Sequence, residues 1–429
     1  MDEVRALGEQ AGARLRVAVL SLHTSPTAVL GSSANGGMNV YVREVSAALS
    51  ERGIATDIFT RRLRLSDGPE WVAPLSRVIY LPAGPAQLDK YALREMAVPF
   101  ADAVARFSRR EGGGYDLVYS HYWLSGLAGL RLSGGLEVPW MHTAHTLGLV
   151  KNRQLARGAR PEPEARVDAE RAIARSADLL IASTEREAED LIDGHGAERG
   201  RVVVIPPGVD LARFGPLSKR QALRRLGYGG SRLLLFVGRL ERLKGVEVAL
   251  RAFAMAAGTR HPDVRFLVLG EDSREADESE KDRLRKLARD LGIADRVTFV
   301  GSVPHGQLPY YYAAAEACLM PSYSESFGLV GLEAQACGCP VVASNVAGLA
   351  SVVRDEVTGY LVVGDDATRY ADRLGRLLED PELADQMGRR GILLAQKFPW
   401  SRTADRLQGQ IEALCSAAQD RVQVTARQE

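Results

Sequence analysis

Apolar runs of strand length alternate along this chain with stretches of helical periodicity, and this alternation limits the fold more than any other feature. The runs are near-continuous in apolar residues, as expected for parallel strands buried on both faces. In the first half they cover residues 17–22, 56–60, 78–82, 117–121, 139–143, 179–183 and 202–206. In the second half they cover residues 233–238, 265–270, 297–301, 317–321, 340–344 and 360–363. Strands that alternate with helices predict repeated βαβ units and an α/β fold with doubly wound parallel sheets.

A Pro- and Gly-rich segment divides the two series of strands. Residues 206–220 (PPGVDLARFGPLSKR) lack apolar periodicity and are typical of a linker. The chain has 429 residues, enough for two or three domains of about 150 residues each. We therefore predict an N-terminal domain over residues 15–213, a C-terminal domain over residues 214–399 and a final helix over about residues 400–420. Residues 1–14 are predicted to form a flexible N-terminal extension.

Composition excludes several classes of protein. Lys and Arg total 55 and Asp and Glu total 54, a net charge of +1, whereas nucleic-acid-binding proteins usually carry a basic excess. Four cysteines are too few for a disulfide scaffold and suit a reducing compartment. The sequence has no apolar run of membrane-spanning length and no secretory signal at its start. These features predict a cytoplasmic protein with no stable membrane insertion.

A glycine pair follows the first predicted strand, at a position where doubly wound sheets bind ligands. Gly36 and Gly37 precede a predicted helix, and the free N–H groups and positive dipole of a helix N-terminus can hold a phosphate. The same residues could instead form a plain glycine-rich turn. The sequence here matches neither the GxGxxG dinucleotide fingerprint nor a Walker A loop.

Two cations follow the first predicted strand of the second series. Arg239 and Lys244 come directly after the apolar run LLLFVG. A diphosphate leaving group needs its charge neutralised, and Arg and Lys can do this without a metal. A solvated basic loop is the alternative interpretation at this point.

The segment PSYSESFGLVGLEAQACGCPVVAS carries the most specific local pattern. Glu325 lies in a Ser- and Gly-rich loop, and Glu333 lies eight residues later in a predicted helix with apolar neighbours. A carboxylate in such a place needs partners such as sugar hydroxyls. The two carboxylates could also be an acid/base pair of the glycoside hydrolase type, but that pair would leave the two cations unexplained.

The residues that usually bind metals show no convincing pattern. Cys337 and Cys339 form a single Cys-x-Cys pair, which we interpret as small buried residues. His142 and His145 are three residues apart without a third ligand type nearby in the sequence. No Asp-x-Asp triplet occurs, so we predict no metal site.

The spacing Glu325-x7-Glu333 with the triplet SFG between resembles the EX7E motif of retaining glycosyltransferases of family 4. Further blocks that match this family are HTSP (23–26), GGMNVYV (36–42), SHYWLSG (120–126), HTAHTL (142–147), VGRL with KG (237–245) and SESFGLV (324–330). Together they resemble the branch that acts on inositol phosphate in mycothiol biosynthesis. The resemblance implies the GT-B fold, with two Rossmann-like domains facing a cleft and the last helix crossing back onto the first domain.

The resemblance also implies a donor site for a UDP-sugar. Gly37, Arg239 and Lys244 would hold the diphosphate, and Glu333 would accept hydrogen bonds from the ribose hydroxyls. Glu325 would hold the transferred sugar at its 3-hydroxyl.

Further donor contacts follow from the same resemblance. His145 would contact the transferred sugar from the first domain, so the implied catalytic residues are His145, Arg239, Lys244 and Glu325. The backbone near Val303 would pair with the base. The implied loop and helix N-terminus beside the sugar consist of Phe327, Gly328, Leu329 and Val330.

The resemblance also implies an acceptor site, whose residues come from four distant segments of the sequence. Lys90, Tyr122, Thr146 and Arg166 match the positions that bind the acceptor phosphate in the inositol-phosphate branch, and Asn39 would reach the acceptor hydroxyls. Taken singly, Lys90 or Arg166 could be an ordinary surface charge. Two cations and two hydroxyls together form a sensible phosphate site.

The implied reaction is transfer of a hexosyl unit, GlcNAc by resemblance, from a UDP-sugar to inositol phosphate with retention of configuration. It requires no cofactor, and magnesium is left open. The implied partners are the nucleotide sugar and a small phosphorylated acceptor, with a homodimer expected. The chain departs from the family where Ala34 and Asn35 replace an acidic residue before GGMN and where residues 151–163 are Arg-rich.

Other functions stay open at this point. The same fold could use another acceptor (sucrose-type, lipid or glycan) or another donor, UDP-glucose or GDP-mannose. A non-catalytic protein that binds a nucleotide sugar would keep the fold without turnover. Paired Rossmann domains also suggest an oxidoreductase, but the missing dinucleotide fingerprint disfavours that function.

Overall fold

The structure, a computed structural model, describes residues 13–28, 36–64, 66–111, 114–156, 158–258, 260–272 and 279–426. Residues 1–12 of the predicted N-terminal extension lie outside the described residues, as do Ala34, Asn35 and Arg157. Within the described part the chain forms two parallel sheets flanked by helices.

The first sheet has eight strands in the order β3-β4-β2-β1-β5-β6-β7-β8. All neighbours pair in parallel except β3, which pairs antiparallel with β4 at the edge. The strands are β1 (Leu15–Leu20), β2 (Ile54–Arg61), β3 (Glu70–Ala73), β4 (Ser76–Leu81), β5 (Leu117–His121), β6 (Trp140–Thr143), β7 (Leu179–Ala182) and β8 (Val202–Val204). The helices that cover it are α1 (Gly37–Ser50), α2 (Ala97–Arg110), α3 (Tyr122–Leu136), α4 (Gly148–Arg153), α5 (Glu164–Ser176) and α6 (Glu185–Glu189).

The second sheet has six parallel strands in the order β11-β10-β9-β12-β13-β14, which is the Rossmann order. Its strands are β9 (Arg232–Val237), β10 (Val264–Leu269), β11 (Val297–Gly301), β12 (Ala315–Met320), β13 (Val341–Ser344) and β14 (Gly359–Val362). The helices of this half are α7 (Lys219–Arg225), α8 (Val246–Ala257), α9 (Glu280–Asp290), α10 (Leu308–Ala314), α11 (Leu329–Ala336), α12 (Ala347–Val352), α13 (Ala367–Glu379) and α14 (Pro381–Ala395). Helix α15 (Trp400–Ala426) closes the described chain.

The predicted α/β fold with doubly wound parallel sheets is confirmed, and every predicted apolar run forms a strand. The runs predicted the strands because the central strands are buried on both faces, as in β1 and β12. Strand β3 was not predicted. Its residues are half-buried or exposed, so an edge strand of this kind lacks the continuous apolar signal.

The chain crosses between the two sheets twice at one place. Val209 donates its N–H to the carbonyl of Phe398 at 2.7 Å. The ideal Cβ of an alanine at Gly208 would lie 2.6 Å from the Trp400 nitrogen, so only glycine allows the two passes to approach this closely. Phe214 is 1 % exposed, which shows that the Pro- and Gly-rich segment is packed rather than loose.

Helix α15 packs against the first sheet after the chain has left the second. The side chains of Trp400, Leu407 and Ile411 belong to the hydrophobic core that is shared by β1 and α1. Arg52 at the end of α1 donates to Asp405 at 2.6 Å. The apolar face of α15 therefore adds a layer to the first domain.

Candidate active site

The cleft is lined by loops that follow the strands at the centre of each sheet. The strand order reverses between β1 and β5 in the first sheet and between β9 and β12 in the second, and ligands bind at such reversal points. His23 and Tyr122 follow β1 and β5. Arg239 and Glu325 follow β9 and β12.

Two site residues adopt left-handed backbone conformations directly after strands. Tyr122 has φ 72° and His145 has φ 59°, and both are non-glycine residues. Such conformations are costly for residues with a Cβ and are held only where surrounding contacts require them. They turn the chain sharply at the carboxyl ends of β5 and β6, so both side chains lie at the cleft edge of the sheet.

In the second domain each predicted donor cation contacts a carboxylate. Arg239 lies 3.0 Å from Glu241, and Lys244 donates to Glu325 at 2.6 Å. Burial raises the pKa of Glu241, but Arg239 and Lys244 outweigh burial and hold that pKa below the usual range. The loop turns at Gly245, where φ is 67° and an added Cβ would lie 2.0 Å from the Pro321 carbonyl.

Glu333 is buried and has two side-chain partners. Its Oε2 accepts from the Tyr312 hydroxyl at 3.1 Å, and its Oε1 lies 2.8 Å from His305 Nε2. His305 Nδ1 lies 3.1 Å from the guanidinium of Arg213. Since a guanidinium only donates, His305 accepts from Arg213 and donates to Glu333. The EX7E spacing indicated Glu333, whereas His305 and Tyr312 were not predicted. His305 is an isolated histidine in a loop, and Tyr312 is one of three consecutive tyrosines, so neither has a distinguishing pattern.

The predicted loop and helix N-terminus beside the sugar lie together at the start of α11. Gly328 has φ 99° and ends the loop where α11 begins at Leu329, with Val330 in its first turn. Phe327 is 4 % exposed and forms part of the second domain's core. Val303 lies in the loop after β11 and packs against the same core.

The two domains meet directly at this helix. An added Cβ at Gly37 would lie 3.2 Å from Leu329, and one at Gly36 would lie 3.9 Å from Arg239 Nε. The Ser326 hydroxyl donates to the carbonyl of His145 across the cleft. The N-termini of α1 and α11 therefore lie close together, and Arg239 approaches the N-terminus of α1.

Three of the four predicted phosphate-binding residues form one cluster in the first domain. Arg166 is 1 % exposed and donates to Thr146 Oγ1 at 3.0 Å and to Glu170 at 2.7 Å. Its guanidinium carbon lies 5.0 Å from the centre of the Tyr122 ring. Residues from three separate segments of the sequence are thus within contact distance.

Lys90 joins this cluster through a carboxylate that sequence analysis did not identify. Glu162 Oε1 lies 3.6 Å from Lys90, 3.2 Å from Lys151 and 2.9 Å from Arg166 Nη1. Its Oε2 accepts from the Tyr91 hydroxyl at 2.9 Å. Glu162 precedes Arg166 by four residues in PEPEAR, and that i, i+4 spacing was the available signal.

The pKa values of Glu162 and Lys151 are shifted by the charges clustered around them. Burial raises the pKa of Glu162, but Arg166, Lys151 and Lys90 outweigh it and hold the pKa well below the usual range. Burial and the charge of Arg166 lower the pKa of Lys151. The charge of Glu241, which pairs with Arg239, acts in the opposite direction and raises the pKa of Lys151.

Histidines line the first-domain side of the cleft. The His23 ring packs at a tilt of 38° against Tyr122 with ring centres 4.5 Å apart, and its buried Nδ1 has no hydrogen-bond partner among the described residues. Burial, followed by the charge of Arg239 and of Lys90, lowers the pKa of His23 to about 3. His145 Nε2 lies 3.0 Å from His121 Nδ1, and burial lowers the pKa of His145 to about 3. Both rings are therefore neutral at physiological pH.

The Asn39 side chain anchors the loop that follows β1. Its side-chain nitrogen donates to Thr24 Oγ1 at 2.8 Å and to the carbonyl of Ser25. The side chain lies in the first turn of α1 and is buried. Asn39 thus fixes the HTSP segment relative to the helix N-terminus at Gly37.

Three further observations concern metal ligands, the cysteines and membrane-spanning helices. Among the described residues, no group of three or more His, Cys, Asp or Glu side chains is arranged to hold a metal ion. Cys337 and Cys339 are buried free cysteines. Over the same residues, no helix is both long enough and apolar enough to cross a membrane.

Comparison with known families matches each half of the chain. Residues 36–208 match the "Glycosyl transferase 4-like domain" and residues 220–393 match "Glycosyl transferases group 1". The two matched regions correspond to the two sheets and lie on either side of the cleft.

Similar curated proteins extend over nearly the whole chain. The D-inositol 3-phosphate glycosyltransferase of Thermobifida fusca is 46% identical over 400 residues, covering 91% of this chain and 92% of that protein. The enzyme of the same name from Corynebacterium jeikeium is 44% identical over 407 residues, covering 93% of this chain and 97% of that protein.

Solved structures agree with these matches. Sucrose-phosphate synthase from Thermosynechococcus elongatus superposes with a TM-score of 0.87 at 35% identity, covering 94% of this chain and all of that one. Anabaena HepE in complex with UDP and glucose has a TM-score of 0.75 at 18% identity over 93% of this chain, a likeness of fold. With the fold, the cleft and the near full-length relatives taken together, this chain belongs to the GT-B glycosyltransferases of group 1, the family that includes the D-inositol 3-phosphate glycosyltransferases.

Proposed function

We propose that this glycosyltransferase moves GlcNAc from UDP-GlcNAc to an inositol phosphate with retention of anomeric configuration. The observation that carries the proposal is the clustering of Lys90, Tyr122, Thr146 and Arg166 in the first domain. Thr146 follows His145, whose carbonyl accepts a hydrogen bond from Ser326 in the loop that holds Glu325 in the second domain. This arrangement supports a phosphorylated acceptor held next to a diphosphate donor. The full-length relatives named for inositol phosphate support the choice of acceptor.

The donor half of the proposal assigns the cations to the leaving group. Arg239 and Lys244 neutralise the charge that develops on the diphosphate, and the N-terminus of α1 at Gly37 adds its dipole. Glu333 accepts hydrogen bonds from the ribose. Glu325 and His145 hold the transferred sugar from opposite domains, and the backbone at Val303 contacts the base.

The chemical step is a same-face substitution in this proposal. The acceptor hydroxyl oxygen forms a bond to the anomeric carbon while the bond from that carbon to the diphosphate oxygen breaks. The hydroxyl proton passes to an oxygen of the leaving diphosphate, so UDP departs carrying the proton that the acceptor loses. Neutral His145 contacts the sugar without taking that proton.

Domain closure supplies the dry environment that the step needs. The Ser326–His145 hydrogen bond and the approach of Gly37 to Leu329 bring the two halves of the site together. Exclusion of water strengthens each charge interaction and prevents hydrolysis of the donor.

A donor panel tests the proposal. UDP release is measured with UDP-GlcNAc, UDP-glucose and a GDP-sugar, each with and without 1L-myo-inositol 1-phosphate. The proposal expects release that requires both UDP-GlcNAc and the phosphorylated acceptor, and an α-linked product by NMR. Release that is indifferent to that acceptor, or strongest with another donor, would refute the acceptor or the donor assignment respectively.

One alternative is favoured by a specific observation. The 35% identity and TM-score of 0.87 to a sucrose-phosphate synthase support a sucrose-type reaction from UDP-glucose to a phosphorylated sugar. The same panel decides between the two, with a phosphorylated hexose as a third acceptor.

A further inference from the structure

Glu162 occupies the centre of the cluster proposed to bind the acceptor phosphate. One carboxylate oxygen contacts Lys90, Lys151 and Arg166 within 3.6 Å, and the other accepts from Tyr91. The Glu162 side chain is 9 % exposed. A carboxylate therefore stands where an acceptor phosphate would find its cations.

The contact with Arg166 is close but poorly directed. Arg166 Nη1 lies 2.9 Å from Glu162 Oε1, yet this buried nitrogen makes no hydrogen bond of acceptable geometry within the part of the chain that the structure describes. The other guanidinium nitrogens are well satisfied by Glu170 and Thr146. Among the described residues, one nitrogen of Arg166 thus has a carboxylate nearby but no well-directed acceptor, and an acceptor phosphate could supply one.

The backbone around Glu162 is anchored independently of its carboxylate. The Glu162 N–H donates to Asn152 Oδ1 at 2.7 Å, and Asn152 Nδ2 donates to the Glu162 carbonyl at 3.0 Å. Rotation of the Glu162 side chain can therefore move the carboxylate away from the three cations, while the hydrogen bonds to Asn152 hold the Glu162 backbone in place.

The net positive charge of this cluster balances that of a phosphate dianion only when the Glu162 carboxylate has moved away. Lys90, Lys151 and Arg166 face the carboxylates of Glu162 and Glu170, which leaves one net positive charge. If the Glu162 carboxylate withdraws, two net positive charges remain, which balance the two negative charges of a phosphate monoester above its second pKa of about 6.

We propose that Glu162 is an internal counter-anion that the acceptor phosphate displaces, and that Lys151 is an additional phosphate-binding residue. The inference rests on the proposed function and deepens it, because it assigns two residues to the choice of acceptor. A neutral acceptor cannot replace the carboxylate, so Glu162 makes the site select for a phosphorylated substrate.

Removing the carboxylate charge tests the first part. In Glu162→Gln the amide oxygen can still accept from Tyr91, but the phosphate meets no like charge and the three cations lose their internal partner. Both effects strengthen phosphate binding. At pH 8 we expect the Kd for inorganic phosphate and the KM for the inositol phosphate acceptor to fall about ten-fold. The matched control is Glu164→Gln, because the Glu164 side chain is 73 % exposed and pairs only with Arg171 in the described structure.

Removing the extra cation tests the second part. We expect Lys151→Ala to raise the same two constants about ten-fold through loss of a charged hydrogen bond. Arg153→Ala on the same helix is the control, since its side chain is 54 % exposed and pairs with Asp190. UDP binding and the thermal unfolding midpoint of each variant report whether the enzyme is folded.

The outcomes separate this inference from the proposed function. Phosphate binding by Glu162→Gln that is unchanged or weaker would overturn the displacement of Glu162 and make it a structural clamp. Unchanged binding in Lys151→Ala would overturn the role of Lys151. A wild-type enzyme that turns over without any phosphorylated acceptor would refute the proposed acceptor itself, before any variant is compared.

Discussion

At the scale of single residues, the cations in the cleft are held by carboxylates of the same chain. Arg239 contacts Glu241, Lys244 contacts Glu325 and Arg166 contacts Glu170. Partly buried charges need partners when no ligand is bound, since an unpaired charge away from water is expensive. Under the proposed function, these internal pairs keep the cations positioned until an anionic substrate replaces or joins the carboxylates.

Lys244→Ala is expected to lower kcat about 100-fold, because one of the two charges that neutralise the leaving diphosphate is lost. Steady-state UDP release measures the effect. The control is Arg251→Ala on α8, whose side chain is 46 % exposed and pairs with Glu247. Full turnover in Lys244→Ala would contradict charge neutralisation by this residue.

The buried side chain of His142 makes the stability of the protein depend on pH. Burial lowers its pKa to about 3, against about 6.5 in the unfolded chain. Between these values the unfolded state binds the extra proton, so stability rises with pH and is lost as pH falls below about 6.5. This one histidine contributes a slope of about 1.4 kcal/mol per pH unit in that window.

His142→Asn should therefore flatten the dependence of the unfolding free energy on pH between pH 6 and pH 4. Urea unfolding at pH 8, 6, 5 and 4 measures it. At pH 8 the histidine is neutral in both states, so that comparison isolates the loss of packing and of the 2.8 Å contact with Ser120. An unchanged slope below pH 6 would show that other groups dominate acid unfolding.

At the scale of elements, the loop before α11 depends on a close approach by α12. An added Cβ at Gly348 would lie 2.3 Å from the Glu325 carbonyl and 2.6 Å from the Phe327 nitrogen. Both atoms belong to backbone, which cannot move aside cheaply. The position of Glu325 is thus set by a glycine on a neighbouring helix.

Gly348→Ala is expected to displace this loop, to lower kcat/KM about 100-fold and to destabilise the protein by about 1–3 kcal/mol. Gly375→Ala is the matched control, because an added Cβ there meets nothing within 4 Å. Since alanine favours a helix interior over glycine, the control should stabilise α13 by about 0.5–1 kcal/mol. Wild-type kinetics in Gly348→Ala would show that the loop tolerates the shift.

At the scale of the whole molecule, the candidate active site depends on contact between the two domains. The chain crosses between them at Val209 and Phe398, and α15 returns to the first domain. One of the contacts across the cleft is the hydrogen bond from Ser326 to the His145 carbonyl. That bond joins the Glu325 loop to the histidine proposed to contact the sugar.

Ser326→Ala should weaken this closed arrangement and lower kcat/KM about ten-fold, which corresponds to one hydrogen bond of about 1.4 kcal/mol. Its unfolding free energy should stay within about 0.5 kcal/mol of wild type, since the bond lies between domains. Ser401→Ala, at an exposed position on α15, serves as control. Equal loss of stability and activity would instead indicate a folding defect.

Sequence patterns determined the fold and the identities of many candidate site residues. Near-continuous apolar runs predicted the parallel strands because burial on both faces excludes polar residues. Glu325, Glu333, Arg239 and Lys244 could be found because they lie within short, recognisable motifs next to strands.

Only the tertiary structure decided how those residues are partnered. Glu162 meets Lys90 and Lys151, and Glu333 meets His305, across separations in sequence that carry no local pattern. The edge strand β3 and the packed crossing at Gly208 likewise depend on neighbours supplied by distant segments. A local pattern reports the burial of an element, whereas the partner of a charge is set by which strands end at the same edge of a sheet and by how the two domains close.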